Sequence, residues 1–177
     1  MAGALPVIRA KVVLLGAPGV GKTSLVRRFV HSVFSDDYRS TLGVKVDRKM
    51  VAIEHATVTM LLWDIHGETT GLDVPENYLR GTSASIAVFD ASRPPTIETA
   101  ATLQQRVSDL APGAFLASVG NKADLDPDWD VVDKQRAAIV ADEHRQTSAK
   151  SGAGVEELFV AVAQGIQLRI QQKRDGA

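Results

Sequence analysis

The sequence predicts an α/β fold: a six-stranded, mostly parallel sheet with one antiparallel edge strand and helices on both faces. Three observations predict it. Short apolar runs alternate along the chain with longer segments of helical period, the order that builds a parallel sheet. Two strand-like runs between residues 44 and 64 are separated only by Glu54-His55, so they form an antiparallel hairpin. A glycine-rich stretch, Gly16-Ala17-Pro18-Gly19-Val20-Gly21-Lys22-Thr23, stands between an apolar run and a helical pattern.

Taken in order, residues 8–15 are a strand ending in Val12-Val13-Leu14-Leu15, and a helix follows over 22–32. Residues 34–43 combine turn formers with charges and predict a loop. Residues 44–53 place apolar residues at alternate positions in two short runs, Val44 and Val46, then Val51 and Ile53, and 57–64 complete the hairpin. Residues 65–79 are loop-like, with Gly67, Gly71 and Pro75, and Pro75 suits the first turn of a short helix. Ser85-Ile86-Ala87-Val88-Phe89-Asp90 is a strand, 96–110 a helix stopped by Pro112-Gly113, and 115–119 a strand running into Gly120-Asn121. A helix is expected over 131–143, then a very short strand at Gln146-Thr147. The last helix, 155–172, repeats Leu158, Val162, Ile166 and Ile170 at i,i+4. No repeat or second domain is visible, so residues 1–177 form one domain with its core over about 9–172.

Composition narrows the function. Of the 177 residues, 45% are hydrophobic and 23% charged, an ordinary globular balance. A net charge of −1 gives no electrostatic reason to expect nucleic acid as a partner. There is no cysteine, which excludes disulfides, thiolate metal sites and cysteine nucleophiles in this sequence. The expectation is therefore no prenyl or palmitoyl anchor, and Ala2 stands where a myristoyl acceptor would need glycine. No apolar run reaches the ~18 residues of a membrane span, and no signal peptide is visible, so a cytoplasmic location is expected.

The spacing of the glycine-rich stretch has a chemical reason. Successive backbone N–H groups of such a loop cradle phosphate oxygens, and the helix N-terminus adds partial positive charge. Lys22 can reach the outer phosphates and the Thr23 hydroxyl can ligate Mg²⁺. Other polar motifs also lie where strands end: Asp64 after Leu61-Leu62-Trp63, Asn121-Lys122-Ala123-Asp124, and Ser148-Ala149-Lys150. In an open α/β sheet the ligand sits at those ends, so the motifs converge with the phosphate loop.

At these residues the chain resembles the Ras-superfamily small GTPases, most closely the Rab proteins, with a P-loop NTPase fold of the Ras-like G domain type. The resemblance covers the domain from Lys11 to the last helix. It rests on the phosphate loop, Tyr38-Arg39-Ser40-Thr41-Leu42-Gly43-Val44, Trp63-Asp64-Ile65-His66-Gly67-Glu68 with Tyr78-Leu79-Arg80-Gly81, Asn121-Lys122-Ala123-Asp124, and Thr147-Ser148-Ala149-Lys150. The resemblance implies a GTP/GDP-binding switch with slow GTP hydrolysis and bound Mg²⁺. It implies that Ala17, Gly19, Val20, Gly21, Lys22, Thr23 and Ser24 hold the phosphates, with Tyr38 also at the nucleotide. Asn121, Lys122, Asp124, Ser148, Ala149 and Lys150 would address the base and sugar. Phe34 is placed to stack on guanine, or else belongs to the core. Thr23, Thr41 and Asp64 would hold Mg²⁺, directly or through water. Backbone N–H groups of Thr41 and Gly67 would touch the γ-phosphate, making 34–44 and 64–80 the switch loops. Through them a monomer would meet effectors, exchange factors and activating proteins. Trp63, Val46 and Tyr78 would form an apolar face for such partners. Glu68, Gly67 and Lys22 would carry catalysis.

Three departures from the family pattern bear on hydrolysis. Glu68 stands where the water-orienting residue is normally Gln, His66 where Ala is usual, and Pro18 where Gly or Ser is usual. Pro18 has no N–H, and its ring occupies space that a partner's arginine finger would cross. Residues 69–75 lack the usual basic and aromatic side chains. Arg39 could supply an arginine in cis, or be an exposed switch residue. A GTP-bound module that hardly hydrolyses is the alternative reading; a P-loop kinase or ATPase fits worse, since Asp124 would then have no base to read. Among the remaining charges, Arg27 and Arg28 read as a solvated helix face and His31, His55 and His144 as surface residues. Arg169, Lys173 and Arg174 read as helix-end charges or a lipid-facing patch.

Overall fold

The computed structural model describes residues 5–35, 43–65 and 72–176. Its sheet has six strands in the order β2-β3-β1-β4-β5-β6. They are β1 (Val7–Leu15), β2 (Val44–Ile53), β3 (Ala56–Ile65), β4 (Ala84–Asp90), β5 (Phe115–Asn121) and β6 (Glu143–Gln146). β2 alone runs antiparallel, paired to β3 from Val44↔Ile65 to Ile53↔Ala56. The expected sheet, with its hairpin edge, is the sheet observed.

The helices are α1 (Lys22–His31), α2 (Glu76–Leu79), α3 (Pro95–Leu110), α4 (Trp129–Arg136) and α5 (Val155–Asp175). Strand parity assigns them to two layers. Val12, Leu14, Val58, Met60 and Leu62 point to one face, where Leu25 and Phe29 of α1 meet Phe159 and Val162 of α5. Phe29 and Phe159 stack at 3.9 Å between centroids, 8° from parallel. Val13 and Leu15 point to the other face, against Leu79, Leu103 and Val107. There Ala87 and Phe89 of β4 also meet Ile97 and Val132. β4 and β5 are buried along their whole length, which is why both read as near-continuous apolar runs.

Two expectations fail. The helix predicted over 131–143 begins at Trp129 and ends at Arg136. Its start is fixed by Asp128, whose carboxylate accepts from Asp130 N and Val131 N. Its end is imposed from outside: Asp142 N donates to Leu116 O at 2.7 Å, and Asp142 Oδ2 accepts from Leu116 N at 2.9 Å. Pairing with β5 claims this backbone and lengthens β6 to Glu143–Gln146, where two residues were expected. Second, Arg169 is not a helix-end charge. α5 continues to Asp175, and Arg169 binds Asp142 at 2.6 Å. Most of the predicted 34–43 loop lies outside the described residues.

The register brings the carboxyl ends of the strands together. Leu14 stands beside Asp64, Leu15 beside Ala87, and Asp90 beside Asn121.

Candidate functional site

The loop between β1 and α1 begins with a glycine that nothing else could replace. A Cβ on Gly16 would lie 2.0 Å from the Val88 carbonyl oxygen, and φ there is 147°. At the other end Gly21 has φ 103°, and a Cβ would fall 2.2 Å from Asn121 Nδ2. The loop is thus pressed against β4 on one side and the end of β5 on the other. Gly19 is also left-handed, at φ 75°. Lys22 starts α1 and turns back over the loop, with Nζ donating to Gly16 O at 2.7 Å and Ala17 O at 3.1 Å. Burial lowers its ammonium from the ordinary lysine range to about 8, and the Asp64 charge partly opposes the shift. Ser24 follows in the same first turn, half-buried.

Thr23 Oγ1 donates to Asp64 Oδ2 at 2.5 Å. Asp64 is 1% exposed, and its other oxygen, Oδ1, is buried without a hydrogen-bond partner. A buried orphan carboxylate oxygen beside a hydroxyl is the donor set of a hard cation.

Asn121 joins the loop to the remaining motifs. Its Nδ2 donates to Val20 O at 2.9 Å; its Oδ1 accepts from Thr147 Oγ1 at 3.1 Å and Ala149 N at 3.2 Å. Ser148 Oγ donates to Asp124 Oδ1 at 2.6 Å and accepts from Ser151 N at 3.1 Å. Asp124 itself is solvent-exposed. Lys122, left-handed at φ 65°, pairs with Asp90 at 2.8 Å. Phe34 is half-buried against the α1/α5 core, with the Arg28 guanidinium 6.0 Å from its ring.

A family model of the Ras family matches residues 11–168. The chain belongs to the Ras family. It is Rab-like: it is 37% identical over 161 residues to the Ras-related protein RABF2a of Arabidopsis thaliana, covering 88% of this chain and 80% of the relative. It is 35% identical over 164 residues to the Ras-related protein Rab5 of Nicotiana tabacum, with the same coverages. The fold is accordingly that of a Ras-like P-loop GTPase, and the chain is a guanine-nucleotide-binding switch with GTPase activity. The non-hydrolysing alternative is not favoured.

In this Ras-family chain the structure draws together Ala17, Gly19, Val20, Gly21, Lys22, Thr23, Asp64, Asn121, Asp124, Ser148 and Ala149. Tyr38, Arg39, Thr41, His66, Gly67 and Glu68 lie outside the described residues. Trp63 and Tyr78 meet at 6.3 Å, and Val46 is the register partner of Trp63. One reading is corrected. Arg28 is not a solvated helix charge: its Nε donates to Ala149 O at 2.8 Å and its Nη2 to Lys150 O at 2.5 Å. It ties α1 to the loop that carries Ser148-Ala149-Lys150. The sequence reading also passed over Asp90 and Arg93. Asp90 ends a strand just as Asp64 does, and that position was the signal available.

Proposed function

We propose that residues 1–177 form a single G domain that cycles between GTP and GDP with Mg²⁺ at the site assembled above. The observation that carries this is the buried Asn121 amide, which links Val20 of the phosphate loop to Thr147 and Ala149 of the base loop. Such a junction serves a ligand with phosphates at one end and a base at the other. In the bound state the loop amides of Ala17 and of Gly19 to Ser24 hold phosphate oxygens, and Lys22 transfers its hydrogen bonds from Gly16 and Ala17 to the outer phosphates. Asp124 reads guanine with its carboxylate, and Lys122 and Lys150 lay their stems along base and sugar. Thr23 and Asp64, with Thr41, hold the metal, which supplies charge neutralisation at the phosphates. Among the described residues no group of three His, Cys, Asp or Glu side chains could hold a metal. This fits a cation whose remaining ligands come from phosphate and water. Purified protein should release stoichiometric guanine nucleotide on denaturation; release of adenine nucleotide, or none from protein refolded with GDP and Mg²⁺, would refute the assignment.

Thr23→Asn should favour GDP or the empty state, since an amide replaces a hydroxyl metal ligand. GTP affinity in excess Mg²⁺ should fall by roughly tenfold or more, the worth of a charge-assisted contact. Unchanged affinity removes Thr23 from the metal shell.

Hydrolysis is slow because Glu68 replaces the usual Gln. An ionised glutamate accepts from the attacking water but cannot donate to the γ-phosphate, and it adds negative charge where charge is already dense. Protonated His66, or protonation of Glu68 itself beside the polyanion, would relieve this. In single-turnover assays across a pH series, Glu68→Ala should lower the rate several-fold and Glu68→Gln raise it, with His66→Ala shifting the profile. A Glu68→Ala rate equal to wild type at every pH denies Glu68 a catalytic role.

Effectors, exchange factors and activating proteins would engage loops 34–44 and 64–80 and the Val46, Trp63, Tyr78 face. Among the described residues no helix is long and apolar enough to cross a membrane.

A further inference from the structure

The corner between β4 and α3 holds a charged group that the site above does not use. Asp90 is 1% exposed. Its Oδ1 accepts from Ser92 N at 3.0 Å and Ser92 Oγ at 2.6 Å. Its Oδ2 takes Lys122 Nζ and Arg93 Nε, each at 2.8 Å. Burial alone would raise this carboxyl; the hydrogen bonds from Lys122, Ser92 and Arg93, with the Lys122 charge, hold it below the usual range. Two cations therefore share one anion, leaving a net positive corner beside the phosphate loop.

Arg93 has a second arm. Its Nη2 donates to the carbonyl oxygen of Pro18 at 3.2 Å. The backbone that launches it is stiff: Arg93 N donates to Asp90 O at 2.9 Å, Arg93 O accepts from Thr96 N at 3.0 Å and Thr96 Oγ1 at 2.8 Å, and Pro94-Pro95 follow. The guanidinium is planar and fork-shaped, so gripping Asp90 through Nε fixes where Nη2 points.

Pro18 is one of the three departures from the family pattern, and the peptide it makes with Gly19 is the one Arg93 holds. A trans peptide is planar, so the Pro18 carbonyl and the Gly19 N–H point to opposite sides. There are no cis peptides among the described residues. Left-handed Gly19 gives this plane rotational freedom that a side-chain residue would not have. A donor on the carbonyl removes that freedom, and it polarises the amide on the far side.

We propose that Arg93 is a positioning residue of the phosphate loop: it fixes the Pro18–Gly19 peptide so that the Gly19 N–H faces the nucleotide phosphates, and through Asp90 it ties that peptide to Lys122 of the base loop. The inference rests on the nucleotide site proposed above. Arg93 acts here through the Pro18 carbonyl and Asp90 that it contacts.

The test uses the whole chain loaded with GDP and Mg²⁺, comparing wild type with Arg93→Gln and Arg93→Lys. Two readouts are needed: the release rate of a fluorescent GDP, and the ³¹P resonances of bound GDP. Arg93→Gln should release GDP about fivefold to tenfold faster and displace the β-phosphate resonance more than the α. Arg93→Lys should behave similarly, because one ammonium can satisfy Asp90 but cannot span to Pro18 in the same geometry. Wild-type release and wild-type ³¹P shifts in both variants would overturn the proposal. So would full rescue by lysine, which would make Arg93 only a counter-charge for Asp90. Wild type that fails to retain GDP would instead refute the nucleotide site, and the role of Arg93 with it.

Discussion

Asp124→Asn is expected to lose GTP and gain xanthosine nucleotides. The Asp124 carboxylate, on a solvent-exposed residue, accepts from Ser148 Oγ with Oδ1. Guanine offers two adjacent donors, a ring N–H and an exocyclic amine, which a carboxylate can take together. In the variant the amide oxygen still accepts from Ser148, so the loop keeps its shape. The amide nitrogen then opposes the exocyclic amine, donor to donor, and an unmade bond in a closed site is costly. GTP and GDP affinity should fall roughly 10²–10³-fold, and xanthosine diphosphate, with an acceptor at that edge, should bind better than to wild type. Competition between fluorescent GDP and unlabelled nucleotides measures this directly. A variant that holds GTP as tightly as wild type would mean that Asp124 does not read the base.

The second large effect belongs to Asn121→Ala. One buried amide satisfies Val20 O, Thr147 Oγ1 and Ala149 N at 2.9, 3.1 and 3.2 Å. Removing it strands three polar groups at a buried junction, at about 1–3 kcal/mol each before any relaxation. It also opens space beside Gly21, whose Cα sits against the Asn121 amide. The phosphate loop and base loop would then be held to each other through Arg28 and through the Arg93–Asp90–Lys122 chain. GDP should dissociate roughly 10²–10³-fold faster, and nucleotide-free protein should also melt at lower temperature. Asn121→Asp separates the two halves of the junction: it keeps an acceptor for Thr147 and Ala149 but sets a carboxylate against the Val20 carbonyl. Its release should also be fast. If Asn121→Ala retains GDP as wild type does, the junction is not what couples the loops.

Where local rules govern the chain, the sequence was readable. The β1–loop–α1 unit declares itself because glycine is demanded by contacts of 2.0 and 2.2 Å that no other residue survives. The buried strands declare themselves because both of their faces are covered. The border between α4 and β6 did not, since residues 137–142 carry helix formers and only pairing with β5 overrides them. Arg28 was misread for a related reason. Helical period sets it beside Arg27 on a polar flank, while its acceptors, Ala149 and Lys150, come from the far end of the chain. Asp90 was legible in principle, as a carboxylate ending a strand next to Asn121 in register. Its two cations are not, because they come from separate loops.

The stacked pair of Phe29 and Phe159 has a consequence for how this protein is made. The half that would grip phosphate leaves the ribosome early, and several groups that brace it are encoded late: Asn121, then Ala149 and Lys150, then the ring of Phe159. At roughly 5–20 residues per second, about 10 s separates the two. Through that interval the nascent chain would display the α1 face, with Leu25 and Phe29 uncovered, and would have no assembled cradle in which to retain a nucleotide. Nucleotide capture would thus be among the last acts of biosynthesis, after α5 covers the α1 face.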